Sequence, residues 1–490
     1  MKKILVILIT IYALGISNIS FGQNFSDQSS FLKTVNYNLN VKVDFQEKKL
    51  YSVCKLTLLN PTNEKIQTIP LLLYRLLNVS SVKDENGKLL PFRQRIKVFE
   101  DWDVLQVNFV EIKLDKAVSK NETKKIIIEY SGHLLGYSET GMNYIKDKID
   151  PDFTIIRPDC ISYPIIGKPV FSTLRSVAQQ NFNYDIKITI PDSLFVVNGG
   201  ALLSKKTNNG LTEFHYKSVT PTTRIDITIS KYKTIQNKGI KTFYFEKDST
   251  EAKKIENVMI ATFDLYSKWW GALKEIKTFS LIEIPKGYGS QANQNYILQT
   301  AAAFNDLGQL EQLYHEISHL WNVNSLDENY SRWNEGLATF MQYLTIEKLE
   351  NRDVLDNAAE LVLKRLKNKI TTDPLFANTP MVDYGKKNMT DYSYSVGMIM
   401  FHLLYKITGE RQFNTIIGSF YQKYHKSGAT TNDFVKNANS VTSIDLTKFF
   451  NDWLYSTNYT EYIKNGMPIN EMVNIYKTKQ ENTLHNNRYK

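Results

Sequence analysis

Along the first half of the chain, apolar and polar residues alternate with a period of two. The runs "YNLNVKVDF", "YSVCKLTLL", "KKIIIEYSG", "NYDIKITIPDS" and "RIDITISKY" carry Val, Ile, Thr and Tyr in that rhythm, as strands with one buried face do. Between them lie "NPTNE", "DENGK" and "TNNG", which have turn composition. The pattern predicts an N-terminal antiparallel β-sandwich-like domain over residues 23–237, and no catalytic cluster stands out in it. Beyond about Gly239 the period changes. "STEAKKIENVMIATFDLYSKWWGAL" has helical spacing, Leu310 to Leu349 reads as helix, loop, helix, and "NAAELVLKRLKNKI", "YSVGMIMFHLLYKI" and "DLTKFFNDWLYS" continue the helical pattern. A strand, "FSLIEIP", and an edge-strand candidate, "KGYGSQANQNYILQ", interrupt them. Residues 238–464 are therefore expected to form a mixed α/β, mostly helical domain. Residues 465–490 read as a polar, lysine-rich tail or one last short element.

The first residues, "MKKILVILITIYALGISNISFGQ", place two lysines before an apolar run too short to span a bilayer, and small residues follow. That order predicts a signal peptide over 1–22, cut near Gly22, and an exported mature chain with no transmembrane segment. Charge adds little: the excess is +10 over 490 residues, with no Lys/Arg cluster of the kind that grips nucleic acid. Cys54 and Cys160 are the only cysteines, too few for a disulfide scaffold.

Chemistry concentrates in "YHEISHLWNVNSLDENYSRWNEGLATF", residues 314 to 340. His315 and His319 are four apart, so on a helix their rings share one face, while Glu316 is turned aside by about 100°. Two nitrogen ligands with a carboxylate beside the ion's open position suit a zinc hydrolase. A catalytic zinc takes three protein ligands. Asp327, Glu328 and Glu335 are the candidates for the third; Glu335 is favoured because it begins a second helical pattern and a rigid helix positions a ligand better than a polar loop. Thr339, one turn on from Glu335, is a candidate to hydrogen-bond one of the ligands.

"HEISHLW" followed by "WNEGLATF" resembles the zinc signature of the membrane alanine aminopeptidase and leukotriene A hydrolase family, the gluzincin metallopeptidases. The resemblance implies one Zn²⁺ held by His315, His319 and Glu335, with Glu316 as general base. It also implies a saddle-like β-domain followed by a thermolysin-like catalytic domain. "DYSYSVG" is similar to the family's Tyr-x-Lys-Gly stretch, which puts a transition-state tyrosine at Tyr394, although the family's Lys is Val396 here. "GSQAN" aligns with the family's Gly-x-Met-Glu-Asn motif, making Gly289, Ala292 and Asn293 the substrate-binding candidates. The family's Glu grips the substrate's free α-amino group, and Ala292 offers no such contact. Its β-domain helper is not matched either: Ile155 is the nearest equivalent, with Asp152 and Asp159 nearby. The family's helical C-terminal cover is not apparent after "FFNDWL", so an open cleft is expected. The expected function is a secreted zinc metallopeptidase acting on peptides or proteins. The alternatives are an endopeptidase on longer peptides and a non-catalytic peptide-binding relative.

Overall fold

The computed structural model describes residues 32–171, 180–273, 279–293, 295–306, 310–327, 332–384 and 392–486, with side chains as far as Lys477. The expected leader and Glu328 lie outside these residues. In the β-rich half, Lys33–Asp44 pairs antiparallel with Lys49–Leu59 inside a seven-stranded sheet. Its other neighbour, Asn183–Pro191, runs parallel to it, a departure from the purely antiparallel expectation. A strand reached by a long connection can enter in either sense, whereas a hairpin cannot. A four-stranded sheet contributes to the same core, so that Leu39, Leu56, Leu72 and Ile112 belong to one buried cluster. The period-two pattern thus becomes two inner faces packed together. Cys54 and Cys160 are both buried and unpaired.

The helical half is built on a five-stranded sheet. It opens with Lys233–Asn237, which lies before the expected boundary, and continues through Ile240–Tyr244, Phe279–Ile284 and Tyr296–Thr300 to Gln291–Asn293 at its edge. Helices Ser249–Trp270, Glu311–Ser318, Asn334–Glu350 and Ser393–Tyr424 pack around one core that includes Trp270, Leu313, Phe340 and Phe401. The last of these helices breaks direction at Gly409, whose φ is 76°. Residues 465–490 are not simply a polar tail: Ile469–Asn486 is a helix, and Met472, Val473 and Tyr476 are buried. Those three fall at i, i+1 and i+4 among polar neighbours, a narrow apolar stripe that suffices to dock a helix. Among the described residues, no helix is long and apolar enough to cross a membrane.

One buried acid makes this sheet pH-sensitive. Burial pushes the Glu283 carboxyl up to about 9, and the neighbouring Asp248 carboxylate adds to the rise, while the Phe245 N–H donates to Glu283 at 2.7 Å and works against it. A folded-state pKa above the unfolded one means that stability is full below about pH 4.3, the unfolded value, and is lost as pH rises towards the folded value. Glu283→Gln removes this titration. It is expected to raise stability at pH 7.5, by up to about 4 kcal/mol, and to flatten the fall in melting temperature between pH 5 and 9, as thermal denaturation across that range would show.

Candidate metal centre

The two histidines sit on Glu311–Ser318 and immediately after it, where a 3₁₀ turn, His319–Trp321, ends the helix. Leu313, Tyr314 and Ile317 are buried, so the helix presents the remaining face to the cleft. Both Nε2 atoms turn towards one oxygen, Glu335 Oε2, at 3.2 Å from His315 and 3.4 Å from His319. The three ligand atoms lie within 4.8 Å of one another. Two imidazoles and one carboxylate form a donor set that fits a single zinc ion.

Glu335 stands in the first turn of Asn334–Glu350, and close packing fixes that helix. A Cβ on Gly336 would come within 2.6 Å of the Gly397 Cα, so the two backbones touch where any larger side chain would hold them apart. The contact brings the start of Ser393–Tyr424 against the site. There the Tyr394 ring lies nearly parallel to that of His315, with centroids 6.3 Å apart. The Trp333 indole donates to the Val323 carbonyl at 3.1 Å, and Arg332 donates to the carbonyls of Val382 and Tyr384.

The imidazoles are oriented from behind. Gln342 Oε1 lies 3.2 Å from His315 Nδ1, and Asn322 Nδ2 lies 2.7 Å from His319 Nδ1. Such partners fix ring orientation and tautomer; a flip of the Asn322 amide would let it accept from an Nδ1–H instead. Thr339, expected in this role, does not fill it: its hydroxyl donates to the Glu335 backbone carbonyl at 2.7 Å, as a mid-helix Thr commonly does. The signal for the actual pair was spacing, since Gln342 is two turns beyond Glu335 and Asn322 is three residues after His319. Asp327 is likewise engaged elsewhere, accepting from the Thr431 N–H and hydroxyl.

Charge in the cluster is strongly coupled. Burial opposes ionisation of Glu335, but His319 and the hydrogen bonds from both rings hold its carboxyl well below the usual range. Burial also works against the His319 cation, yet Glu335 and Glu316 carry it up to about 9. Glu316 is raised, chiefly by burial, with both histidines and a hydrogen bond from the Ala292 backbone N–H pulling the other way.

That last contact connects the site to the edge strand Gln291–Asn293. The strand begins after Gly289, whose φ of 74° is in the region that favours glycine. The β-rich half grips it: Gln291 donates to Asp159 at 3.0 Å, Asn293 Nδ2 donates to the Thr222 hydroxyl at 3.1 Å, and Asp159 also accepts from Arg224 at 2.6 Å. Ile155, by contrast, is fully buried in a core and unavailable to substrate. A cleft of about 380 Å³ opens beside the cluster, with Ala292, Asn293, His319 and Glu335 in its wall. A larger hollow of about 520 Å³ lies on the seven-stranded sheet and shares no residue with it.

Comparison with known proteins finds likeness to one peptidase family. The peptidase family M1 domain matches residues 292–453, which hold the whole cluster and Tyr394. Over 278 residues the chain is 20% identical to Aminopeptidase M1-B of Oryza sativa subsp. japonica, a match covering 51% of this chain and 31% of that relative. The chain thus spans about a third of that M1 relative's length. A mutant of the M1 zinc metallopeptidase of Deinococcus radiodurans, bound to a Tyr-Ser-Ala substrate, superimposes with a TM-score of 0.60 at 15% identity, covering 87% of this chain and 94% of that one. A two-domain M1 zinc metallopeptidase mutant bound to L-arginine gives 0.56 at 15% identity, covering 84% and 91%. At these identities the likeness is one of fold, and it spans both halves of this chain.

Proposed function

We propose that this chain is an exported zinc peptidase that cleaves peptides without requiring a free amino terminus. The observation that carries the reading is the convergence of His315, His319 and Glu335 on one point, with the half-buried Glu316 carboxylate beside them and held by the Ala292 N–H. Zinc held by the three ligands would polarise the scissile carbonyl and acidify the attacking water. Glu316, raised by burial, takes the water's proton and delivers it to the leaving amine. Tyr394, at the rim beside His315, donates its hydroxyl to the oxygen on which negative charge develops. Gln291–Asn293, the edge of its sheet, offers backbone groups to which a peptide adds as a further strand, with Gly289 providing the turn into it. Export rests on the leader pattern of residues 1–22.

Ala292 argues against the aminopeptidase mode: the strand position that would grip an α-ammonium has a methyl group, and its backbone serves the base instead. The same residue favours a second reading, a peptide-binding relative that keeps the metal but lacks productive anchoring. One experiment separates the readings: digestion of matched peptides with free and acetylated amino termini by the zinc-loaded chain, with and without a chelator. The expected result is chelator-sensitive cleavage of the acetylated set at least as fast as the free set. A strict requirement for free ends would overturn the proposed mode, and no cleavage of either set would favour the binder.

A further inference from the structure

The cleft beside the metal cluster has an unusual wall. The β-rich half contributes Asn181, Thr220 and Thr223, and the helical half contributes Asn322, Asn324 and Asn334. Among the described residues no Lys or Arg lines it, and its one carboxylate is Glu335, already engaged by two histidines. Two buried acceptors in this wall have no partner among the described residues: Asn334 Oδ1 and His425 Nε2. His425 Nδ1 lies 3.0 Å from the Tyr421 carbonyl, which can only accept, so Nδ1 carries the ring proton and Nε2 is left as a bare acceptor. Buried acceptors normally have donors. Among the described residues nothing supplies these two.

We infer that this cleft is a specificity subsite for a neutral, hydrogen-bond-donating group, the carboxamide or hydroxyl side chain of a substrate residue on the amino side of the bond cut, with His425 Nε2 and Asn334 Oδ1 as its acceptors. The position follows from Ala292, which lines the same cleft and, with only a methyl group, leaves room there that a longer side chain would take up. The chemistry follows by comparison of occupants. An apolar side chain would leave both acceptors without donors. An ammonium would lose its hydration with no free carboxylate to replace it, and an anion would find no cation among the described lining residues and two lone pairs opposing it. An amide or hydroxyl supplies N–H or O–H donors at no charge. A cleft of about 380 Å³ has ample room for one such side chain.

The inference rests on the peptidase reading for what fills the cleft, so its test reads binding and not turnover. Zinc-loaded Glu316→Gln protein would be titrated calorimetrically with acetylated hexapeptides that differ only in the amino-terminal half, made of Gln, Leu, Lys or Glu. The Gln peptide is expected to bind about tenfold tighter than the others, the scale of one buried hydrogen bond. Adding His425→Phe keeps a ring but removes the acceptor, and should bring the Gln and Leu peptides within about twofold. His425→Gln, which restores an acceptor oxygen, should recover most of the preference, and it also serves if the Phe variant folds poorly. Equal binding of the Gln and Leu peptides, or a preference that survives His425→Phe, overturns the subsite. A wild-type chain that cleaves nothing while the binding preference holds would overturn the peptidase reading alone.

Discussion

Glu316→Gln is expected to hold zinc at full stoichiometry and to lose about 10²–10⁴-fold in turnover, the usual contribution of a positioned general base. The separation of the two effects is geometric. The ligand atoms come from His315, His319 and Glu335, and Glu316 touches the site from the side, fixed by the Ala292 N–H. Glutamine keeps a carbonyl oxygen for that N–H and nearly the same volume, so the edge strand and the fold should be undisturbed. Metal analysis of the purified variant, together with single-turnover cleavage of an acetylated peptide, reads the two quantities independently. Full turnover with zinc bound would remove Glu316 from the reaction. Loss of zinc would mean that its charge is needed to hold the ion.

The parts of this site that were legible in the sequence are those set by helical periodicity. Four-residue spacing places two rings on one face whatever surrounds them, so His315 and His319 could be paired without a structure. The third ligand was legible only through context: Asp327, Glu328 and Glu335 were chemically equivalent, and the rigidity of a helix start favoured Glu335. In the structure Asp327 instead accepts from Thr431, a partner 104 residues away. Thr339 shows the opposite failure. It lies one turn from Glu335, but a hydroxyl within reach of its own helix's carbonyl takes that acceptor. The Gly336–Gly397 contact was illegible for a different reason, because it depends on which two helices meet. At the level of fold, period-two and helical stretches divided the chain into a β-rich and a helical half. The parallel entry of Asn183–Pro191 and the docking of Ile469–Asn486 required tertiary pairing that no local pattern encodes.

Asp147→Ala is expected to destabilise the chain by about 3–5 kcal/mol, because it leaves a buried guanidinium without the carboxylate that hydrogen-bonds it directly. Arg157 and Asp147 have fully buried side chains and meet through two hydrogen bonds, of 2.9 Å from Nε and 2.8 Å from Nη2. The remaining donors of Arg157 hold the backbone carbonyls of Tyr144 and Tyr288. Tyr288 immediately precedes the Gly289 turn into the edge strand, so the pair ties the β-rich half to the strand that carries Ala292. The loss should appear as a lower denaturant midpoint in the zinc-loaded chain, and in the protein that remains folded as a rise in KM for peptides with zinc content unchanged. A double variant, Asp147→Leu with Arg157→Met, separates charge from architecture. Apolar replacement of a buried ion pair is often neutral for stability, but here two carbonyls would lose their donors, so recovery should be partial and the rise in KM should persist. A midpoint within about 0.5 kcal/mol of wild type for Asp147→Ala, the range of ordinary surface substitutions, would mean that water reaches Arg157 and that the pair does not lock the two halves together.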